Sequence, residues 1–261
     1  MTGGPLVRRE VAGGVARITL DSPHNRNAMS VALLTQLLEG LDAAFDDPAA
    51  RVVVLSGTGP VFCSGADLKE QRRYRERGER SPVADLLVAA LSRVLQSRKP
   101  VVARVNGHAR AGGLGLVGAA DIAIAPEEAS FGFAEVRLGV VPAVIAVTTV
   151  PRMTPRAALE LFLTGETFDG RRAAELGLLN RAVPAGRLDA EVERYVDMLR
   201  RGGPEALGHI KPMVARVRAL PAEEAFREMA DLSTARFASE EAQEGMRAFA
   251  ERREPAWVEA D

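Results

Sequence analysis

Residues 106–116, which read NGHARAGGLGL, are the most informative part of the chain for its fold. It holds four glycines, follows the apolar run 101–105 and precedes the apolar run 116–120. This pattern predicts a buried strand, a glycine turn and the buried start of a helix. Glycine permits positive φ and close approach to the backbone, and the first amides of a helix lack internal partners. The turn could therefore bind a carboxylate, a phosphate or a developing oxyanion, or could simply pack the helix closely against the strand.

Length and composition limit the classes of protein that the chain can be. It has 261 residues, of which 47% are hydrophobic and 26% charged, as in one large soluble domain or a domain with an appendage. A net charge of −1 offers no general attraction for nucleic acid or an anionic membrane, so we expect neither as a partner. The single cysteine excludes an internal disulfide and a multi-cysteine zinc site.

Cofactor and targeting signals are also lacking in the sequence. The three histidines, His24, His108 and His209, lie far apart, and Phe62 stands where a dinucleotide-binding fingerprint would need its third glycine. We therefore expect no metal and no nicotinamide cofactor. Residues 1–11 lack the apolar core of a signal peptide, and no run of about 18 uncharged apolar residues exists. These features, with one cysteine, favour a cytoplasmic location.

Strand and helix patterns alternate over the first two thirds of the chain, and helical patterns dominate from Arg187 onward. Apolar and β-prone runs predict strands at residues 6–11, 15–20, 52–55, 101–105, 121–125 and 130–133. Apolar stripes and capping residues predict helices after Ser30, over 83–95, after Thr154 and over 169–176. The helical tail is typical of a region that packs on a neighbouring subunit, or it folds back on its own core.

Two segments between these elements have open interpretations. Residues 69–81 read KEQRRYRERGERS, with five arginines and three glutamates, and are predicted to be mobile and solvated. Alternatively, they form a lid over the glycine turns, or their arginines contact an anionic ligand. Cys63 stands among apolar and small residues, which predicts a buried structural thiol rather than a nucleophile.

The candidate acid/base is Glu135, which stands among apolar and small residues in the segment 134–142. A carboxylate in such a setting is partly desolvated, which raises its pKa and suits proton transfer near neutral pH. The alternative is a salt bridge to Arg137 or to another arginine.

Four motifs together resemble those of the enoyl-CoA hydratase/isomerase, or crotonase, superfamily. They are residues 62–69 (FCSGADLK), 106–113 (NGHARAGG), 121–123 (DIA) and 131–142 (FGFAEVRLGVVP). The resemblance extends over essentially the whole chain, including 244–249 (EGMRAF). It implies an α/β fold, with a spiral of ββα units over 1–186 and a helical trimerisation region over 187–261, assembled as a homo-trimer or hexamer.

The resemblance also implies an acyl-CoA thioester substrate, with coenzyme A as part of that substrate rather than a cofactor. Two backbone amides would stabilise the thioester enolate, and by motif position they belong to Ala66 and Gly112. Glu135 would be the catalytic acid/base. The residues implied in coenzyme A binding are Asn25, Arg26, Ala28, Ala66, Asp67, Leu68, Lys69, Gly112, Phe249 and Arg252.

One position departs from the pattern of the two-glutamate hydratases. Their first glutamate falls at Gly115, which cannot transfer a proton. We expect hydration of a 2-enoyl-CoA by Glu135, with water held partly by backbone groups. The alternatives are Δ3-to-Δ2 isomerisation by Glu135 alone and an acyl-CoA-binding protein with little activity. An unused buried carboxylate is costly, which argues against the last.

Overall fold

Residues 4–258, which the computed structural model describes, form two β-sheets and the helices that cover them. The strands are β1 (Val7–Ala12), β2 (Val15–Leu20), β3 (Val52–Gly57), β4 (Val61–Cys63), β5 (Val101–Arg104), β6 (His108–Arg110), β7 (Ile122–Pro126), β8 (Ser130–Gly132), β9 (Thr167–Asp169) and β10 (Arg181–Val183). The α-helices are α1 (Val31–Asp46), α2 (Leu68–Glu76), α3 (Val83–Gln96), α4 (Gly112–Ala119), α5 (Ala143–Thr149), α6 (Pro155–Thr164), α7 (Gly170–Glu175), α8 (Leu188–Arg201), α9 (Pro204–Ala219), α10 (Ala222–Phe237) and α11 (Glu240–Glu251). The predicted strands are confirmed, and Ser30 and Thr154 cap α1 and α6 as predicted.

The two sheets are built in alternation along the chain. The larger has the strand order β1-β2-β3-β5-β7-β10 and the smaller the order β4-β6-β8-β9. From β3 to β8 the chain places one strand in the larger sheet, the next in the smaller sheet, and then one or more helices that lead to the following pair. Neighbouring strands of successive units pair in parallel. This repeat is the spiral of ββα units that the family resemblance implies.

The central strand β3 is buried on both faces. Val53 and Leu55 face the main apolar core, which also contains buried side chains of α1, α3 and α4. A second cluster on the opposite face consists of Val15, Val52, Val54, Val102, Ile124, Leu188, Val192 and Val196. The three α8 residues of this cluster recur every four positions and so share one helix face, which covers the larger sheet. The unbroken apolar run of β3 follows from this double burial.

The last three helices, α9 to α11, expose large apolar side chains. Phe226, Phe237 and Phe249 are 78%, 66% and 87% exposed. None of the helices within residues 4–258 combines the length and the apolar character that a membrane span needs.

The charged segment 69–81 is helical over much of its length, as part of α2. Asp67 caps this helix because its carboxylate accepts hydrogen bonds of 3.0 and 3.1 Å from the amides of Lys69 and Glu70. Glu70 in turn accepts a 2.8 Å hydrogen bond from the amide of Val31, which ties α2 to the start of α1. The arginines of α2 are exposed, as predicted, but they project from a capped helix.

We predict that Asn27 stabilises the loop beside this helix. The buried side chain accepts a 2.8 Å hydrogen bond from the Ser22 amide and donates to the carbonyls of Thr58 and Val61 at 3.0 and 2.8 Å. Asn27→Ala leaves these backbone groups unpaired and should lower the free energy of unfolding by about 2–4 kcal/mol in urea titrations. Gln96→Ala, at an exposed position, is the control and should cost under about 0.5 kcal/mol. An equally small loss for Asn27→Ala would contradict this role.

Candidate active site

The turn that follows β4 packs directly against the turn that follows β6. A Cβ on Gly65 would lie 2.7 Å from the Cβ of Ala111, and a Cβ on Gly113 would lie 2.8 Å from the Cβ of Cys63. Gly65 has a φ of +88° and Ala111 a φ of +46°, which is uncommon for a residue with a side chain. Backbone strain of this kind costs on the order of 1–3 kcal/mol and is characteristic of functional sites. Because Gly65 and Gly113 have no side chain, the first turn of α4 can approach the end of β4.

Ala66 and Gly112, one from each of these two turns, line one cavity of about 280 Å³. Met29 bridges to both neighbours of Ala66: its amide donates to the Gly65 carbonyl at 2.7 Å, and its carbonyl accepts from the Asp67 amide at 3.1 Å. The Ala66 amide therefore points away from Met29. Gly112 is the first residue of α4, where amides have no intrahelical acceptor. Within residues 4–258 neither amide has a hydrogen-bond acceptor, so both can bind an oxyanion.

Glu135 borders the same cavity and lies on a 3-10 helix, Ala134–Leu138. Its Oε2 atom is buried and has no hydrogen-bond partner among the described residues. Desolvation raises the pKa of this carboxyl above its ordinary value. Arg137 instead lies 3.4 Å from the carbonyl oxygen of Thr164. Glu135 therefore has the desolvated environment that its sequence neighbours predicted, and the salt bridge to Arg137 does not form.

Aromatic packing and a tight turn hold the backbone of Glu135 in place. The ring of Phe133 is fully buried, 4.6 Å from the ring of Phe162 between centroids, in an edge-on arrangement. Gly139 ends the 3-10 helix with a φ of +71°, and the Val140 amide donates a 3.1 Å hydrogen bond to the Glu135 carbonyl. The segment is thus fixed on both sides of the carboxylate.

The remaining cavity wall is mostly apolar. It is lined by Met29, Ala66, Gln71, Ser81, Val83, Ala84, Leu87, Ala111, Gly112, Val141, Pro142, Ala143, Val144 and Ile145, in addition to Glu135. Gln71 and Ser81 are its other polar side chains. The sequence does not indicate that either of them lines a cavity, because helical periodicity predicts burial but not which buried residues border a cavity. An apolar wall lowers the local dielectric constant and so strengthens the interaction of an oxyanion with the two amides.

Position 115 is filled by an apolar neighbour. A Cβ on Gly115 would lie 2.7 Å from Cγ2 of Ile145 and 3.3 Å from Cδ1 of Leu91. Because Ile145 itself lines the cavity, its side chain occupies the space through which a side chain at position 115 would enter. Among the described residues that line the cavity, Glu135 is the one carboxylate.

Arg26 borders a second, open groove of about 410 Å³. This groove is lined by Arg26, Val61, Ser64, His108, Arg110 and Ser130. The Arg110 guanidinium donates a 2.7 Å hydrogen bond to the hydroxyl of Ser130. The two sites adjoin along the chain, because Ser64 lies two residues before Ala66 and Arg110 two residues before Gly112. The basic groove, defined by Arg26, His108 and Arg110, is therefore lined by residues that closely precede the cavity residues in the chain.

The other residues implied in coenzyme A binding lie in three places. Asn25 and Ala28 flank Arg26 and Asn27, and the Asn25 side chain accepts a 3.3 Å hydrogen bond from the Ala28 amide. Asp67, Leu68 and Lys69 form the start of α2, where Asp67 is the cap. Phe249 and Arg252 lie at the end of α11, where the Phe249 ring is exposed. Neither lines the cavity or the basic groove within the described chain.

Cys63 is a buried structural thiol, as predicted. Burial raises the pKa of this thiol to about 12, and its sulfur accepts a 3.4 Å hydrogen bond from the Gly65 amide. Over residues 4–258, no three His, Cys, Asp or Glu side chains are grouped so that they could hold a metal ion.

Comparison with known proteins identifies the class. Residues 10–260 match the model of the enoyl-CoA hydratase/isomerase family. The chain therefore belongs to the enoyl-CoA hydratase/isomerase family, and its architecture is the crotonase fold.

The chain is similar over nearly its full length to individual members. Carnitinyl-CoA dehydratase of Citrobacter koseri is 34% identical over 254 residues, which cover 94% of this chain and 95% of that protein. Enoyl-CoA hydratase EchA19 of Mycobacterium tuberculosis is 31% identical over 255 residues, which cover 97% of this chain and 96% of that protein. The crystal structure of an enoyl-CoA hydratase from Shewanella pealeana superposes with a TM-score of 0.90 at 30% identity, covering 97% of this chain and 96% of that one.

The environment of Glu135 predicts its titration. Burial disfavours the charged form, so the carboxylate should be lost as the pH falls through a pKa above 4.5. We expect carbon-13 NMR of protein labelled at the glutamate carboxyl carbons to show this midpoint for the signal that Glu135→Gln removes. A midpoint at or below 4.5 would contradict the desolvated environment.

Proposed function

We propose that the protein is an enoyl-CoA hydratase-type enzyme, which adds water across the double bond of a 2-enoyl-CoA thioester. The observation that carries this proposal is that Ala66 and Gly112, whose amides have no acceptor among residues 4–258, line one apolar cavity together with Glu135. The two amides would bind the thioester oxygen and stabilise the enolate, at about 3 kcal/mol for each donor in the transition state. Membership of the family and similarity to a hydratase and a dehydratase support a reaction that adds or removes water.

Glu135 performs both proton transfers in this proposal. As the oxygen of water bonds to the β-carbon, the carboxylate accepts a proton from that water, and the electron pair of the double bond moves toward the thioester oxygen. The neutral carboxyl group then donates the same proton to the α-carbon, and the thioester carbonyl re-forms. The products are a 3-hydroxyacyl-CoA and an ionised Glu135, so the carboxylate is regenerated. Its raised pKa brings it closer to neutrality, where such a group transfers protons efficiently in both directions.

Ile145 fills the space beside Gly115, so this position supplies no second carboxylate, which favours a second candidate function, Δ3-to-Δ2 isomerisation. This reaction needs one base that removes a proton from C2 and returns it to C4, and Glu135 would be sufficient. A binding protein with little activity is disfavoured, because the buried Oε2 of Glu135, which has no partner among the described residues, would lower stability and serve no function.

We further propose that coenzyme A extends from the cavity toward the basic groove of Arg26, His108 and Arg110, which suits its phosphate groups. Asn25, Ala28 and the start of α2 lie beside this path in the chain. A homo-trimer or hexamer is supported by the exposed phenylalanines of α10 and α11, because monomeric proteins rarely expose many large apolar side chains together. Metal ions and nicotinamide have no step in the proposed reaction.

Glu135→Gln tests the acid/base. The amide keeps the size of the side chain but cannot shuttle a proton, so kcat for crotonyl-CoA hydration should fall by about 10²- to 10⁴-fold. Affinity for acetoacetyl-CoA, measured by calorimetry, should stay within roughly threefold, because the amides of Ala66 and Gly112 are retained. Glu166→Gln, at an exposed position, is the matched control.

Mass spectrometry of the products from crotonyl-CoA and from a 3-enoyl-CoA distinguishes hydration from isomerisation in the same experiment. Near-normal turnover by a folded, ligand-binding Glu135→Gln variant would show that another group transfers the proton.

The second prediction from the proposed function concerns Gly115 and Ile145. Gly115→Glu alone should lower stability, since its Cβ would lie 2.7 Å from Ile145. Combined with Ile145→Ala, the new carboxylate gains space beside the cavity and should raise the ratio of hydration to isomerisation by about tenfold. Ile145→Ala alone is the control for the enlarged cavity. An unchanged ratio in the stable double variant would show that a second carboxylate at this position does not promote hydration.

A further inference from the structure

Gln71 and Ser81 interrupt the apolar wall of the cavity that contains Glu135. Gln71 lies on α2, and Ser81 lies in the loop between α2 and α3. Both side chains are half-buried. The Gln71 Nε2 donates a 3.0 Å hydrogen bond to the Ser81 Oγ, which joins the helix to the loop. The pair therefore forms one polar patch in a cavity whose other polar side chain is the proposed acid/base.

The polar patch has hydrogen-bonding groups that remain unpaired within the protein. The Ser81 Oγ accepts from Gln71 and also, at 3.4 Å, from the amide of Val83. With both lone pairs engaged, the hydroxyl hydrogen of Ser81 is its remaining donor. The side-chain oxygen of Gln71 has no donor among residues 4–258. The patch can thus give one hydrogen bond to a molecule in the cavity and accept another.

The scaffold around Gln71 fixes its position relative to Ala66. The Gln71 amide donates a 2.9 Å hydrogen bond to the carbonyl of Asp67, the residue that caps α2. Asp67 directly follows Ala66, whose amide is proposed to bind the thioester oxygen. One helical turn therefore separates Gln71 from that part of the site. The exposed face of α2 carries arginines, but its cavity-facing residue is an amide rather than the apolar side chain that the other walls use.

Half-buried polar groups in an apolar wall lose hydration, and they recover that cost when a ligand hydrogen-bonds to them. The complementary ligand is a single oxygen atom that both accepts and donates, as a water molecule or an alcohol does. A saturated or unsaturated hydrocarbon chain would leave the patch unpaired. The patch therefore favours a ligand that places such an oxygen in the cavity that Glu135 also lines.

We propose that Gln71 and Ser81 bind the oxygen at the β-carbon of the acyl group, which is the attacking water in hydration and the 3-hydroxyl group in dehydration. The Ser81 hydroxyl donates to this oxygen, and the side-chain oxygen of Gln71 accepts one of its hydrogens. Glu135 takes the other hydrogen of the water, so neither Gln71 nor Ser81 changes its protonation state. The pair thereby supplies the contact to water that Gly115 cannot make. This inference rests on the proposed function, because isomerisation places no oxygen at the β-carbon.

Binding measurements test the contact without turnover. In the Glu135→Gln background, calorimetry should show 3-hydroxybutyryl-CoA binding about 3- to 10-fold more tightly than butyryl-CoA. Gln71→Met keeps the length of the side chain but removes its acceptor, so it should abolish this preference and leave butyryl-CoA affinity within about twofold. Ser81→Ala should have the same effect through the lost donor. Arg75→Met, an exposed change on the same helix, is the matched control and should keep the preference.

Kinetics with Glu135 intact separate the contact from simple wall packing. Gln71→Met should lower kcat/KM for crotonyl-CoA hydration by about tenfold, yet change isomerisation of 3-hexenoyl-CoA by less than about twofold. Equal losses in both reactions, or an unchanged preference for 3-hydroxybutyryl-CoA in both Gln71→Met and Ser81→Ala, would overturn the inference. If the wild-type protein hydrates crotonyl-CoA but Gln71→Met and Ser81→Ala keep the preference for 3-hydroxybutyryl-CoA, the inference is wrong and the proposed function stands. A wild-type protein that binds both ligands equally and never hydrates refutes the proposed function as well.

Discussion

The close contact between the turn at Gly65 and the turn at Ala111 is the constraint on which the site depends. The two turns follow β4 and β6, which pair in parallel with Cys63 opposite Ala109. Strand pairing therefore fixes the relative position of the Ala66 and Gly112 amides before any ligand binds. Donors that are fixed in this way need no reorganisation when charge develops on a thioester oxygen, which is the basis of their effect on rate.

The site combines several features that lower stability. Ala111 has a strained backbone, Glu135 has a buried oxygen without a partner among the described residues, and Gln71 and Ser81 place polar groups in an apolar wall. Each is offset by well-packed surroundings, such as the double burial of β3 and the aromatic contacts of Phe133. Strained and unpaired groups persist in functional sites where the rest of the fold holds them in place.

Local signals in the sequence were enough to predict most of the fold and part of the site. The apolar run of β3, the caps Ser30 and Thr154 and the apolar neighbours of Glu135 each report on their own surroundings. The high charge of residues 69–81 predicts a mobile segment, whereas the structure has the helix α2 there. The capping signal of this helix is Asp67 with Glu70 three residues later. Two features of the site depend on tertiary packing, which no local sequence pattern reports. Ile145 fills the space beside Gly115 from 30 positions away in the chain, and Gln71 forms a hydrogen bond with Ser81.

Exchange of the α-protons of bound butyryl-CoA in deuterated water is the most direct test of enolate formation in this site. This saturated thioester cannot be hydrated or isomerised, so exchange, followed by proton NMR, reports only on enolate formation by Glu135 and the two amides. We expect exchange with the wild-type protein and a loss of about 10²-fold or more in Glu135→Gln. Gly112→Pro, which removes one amide, should lose about as much relative to Gly112→Ala, which keeps the amide and adds the same Cβ 2.5 Å from the Sδ of Met29. Binding of butyryl-CoA without exchange in the wild-type protein, or equal exchange in Glu135→Gln, would contradict enolate formation by Glu135 and the two amides.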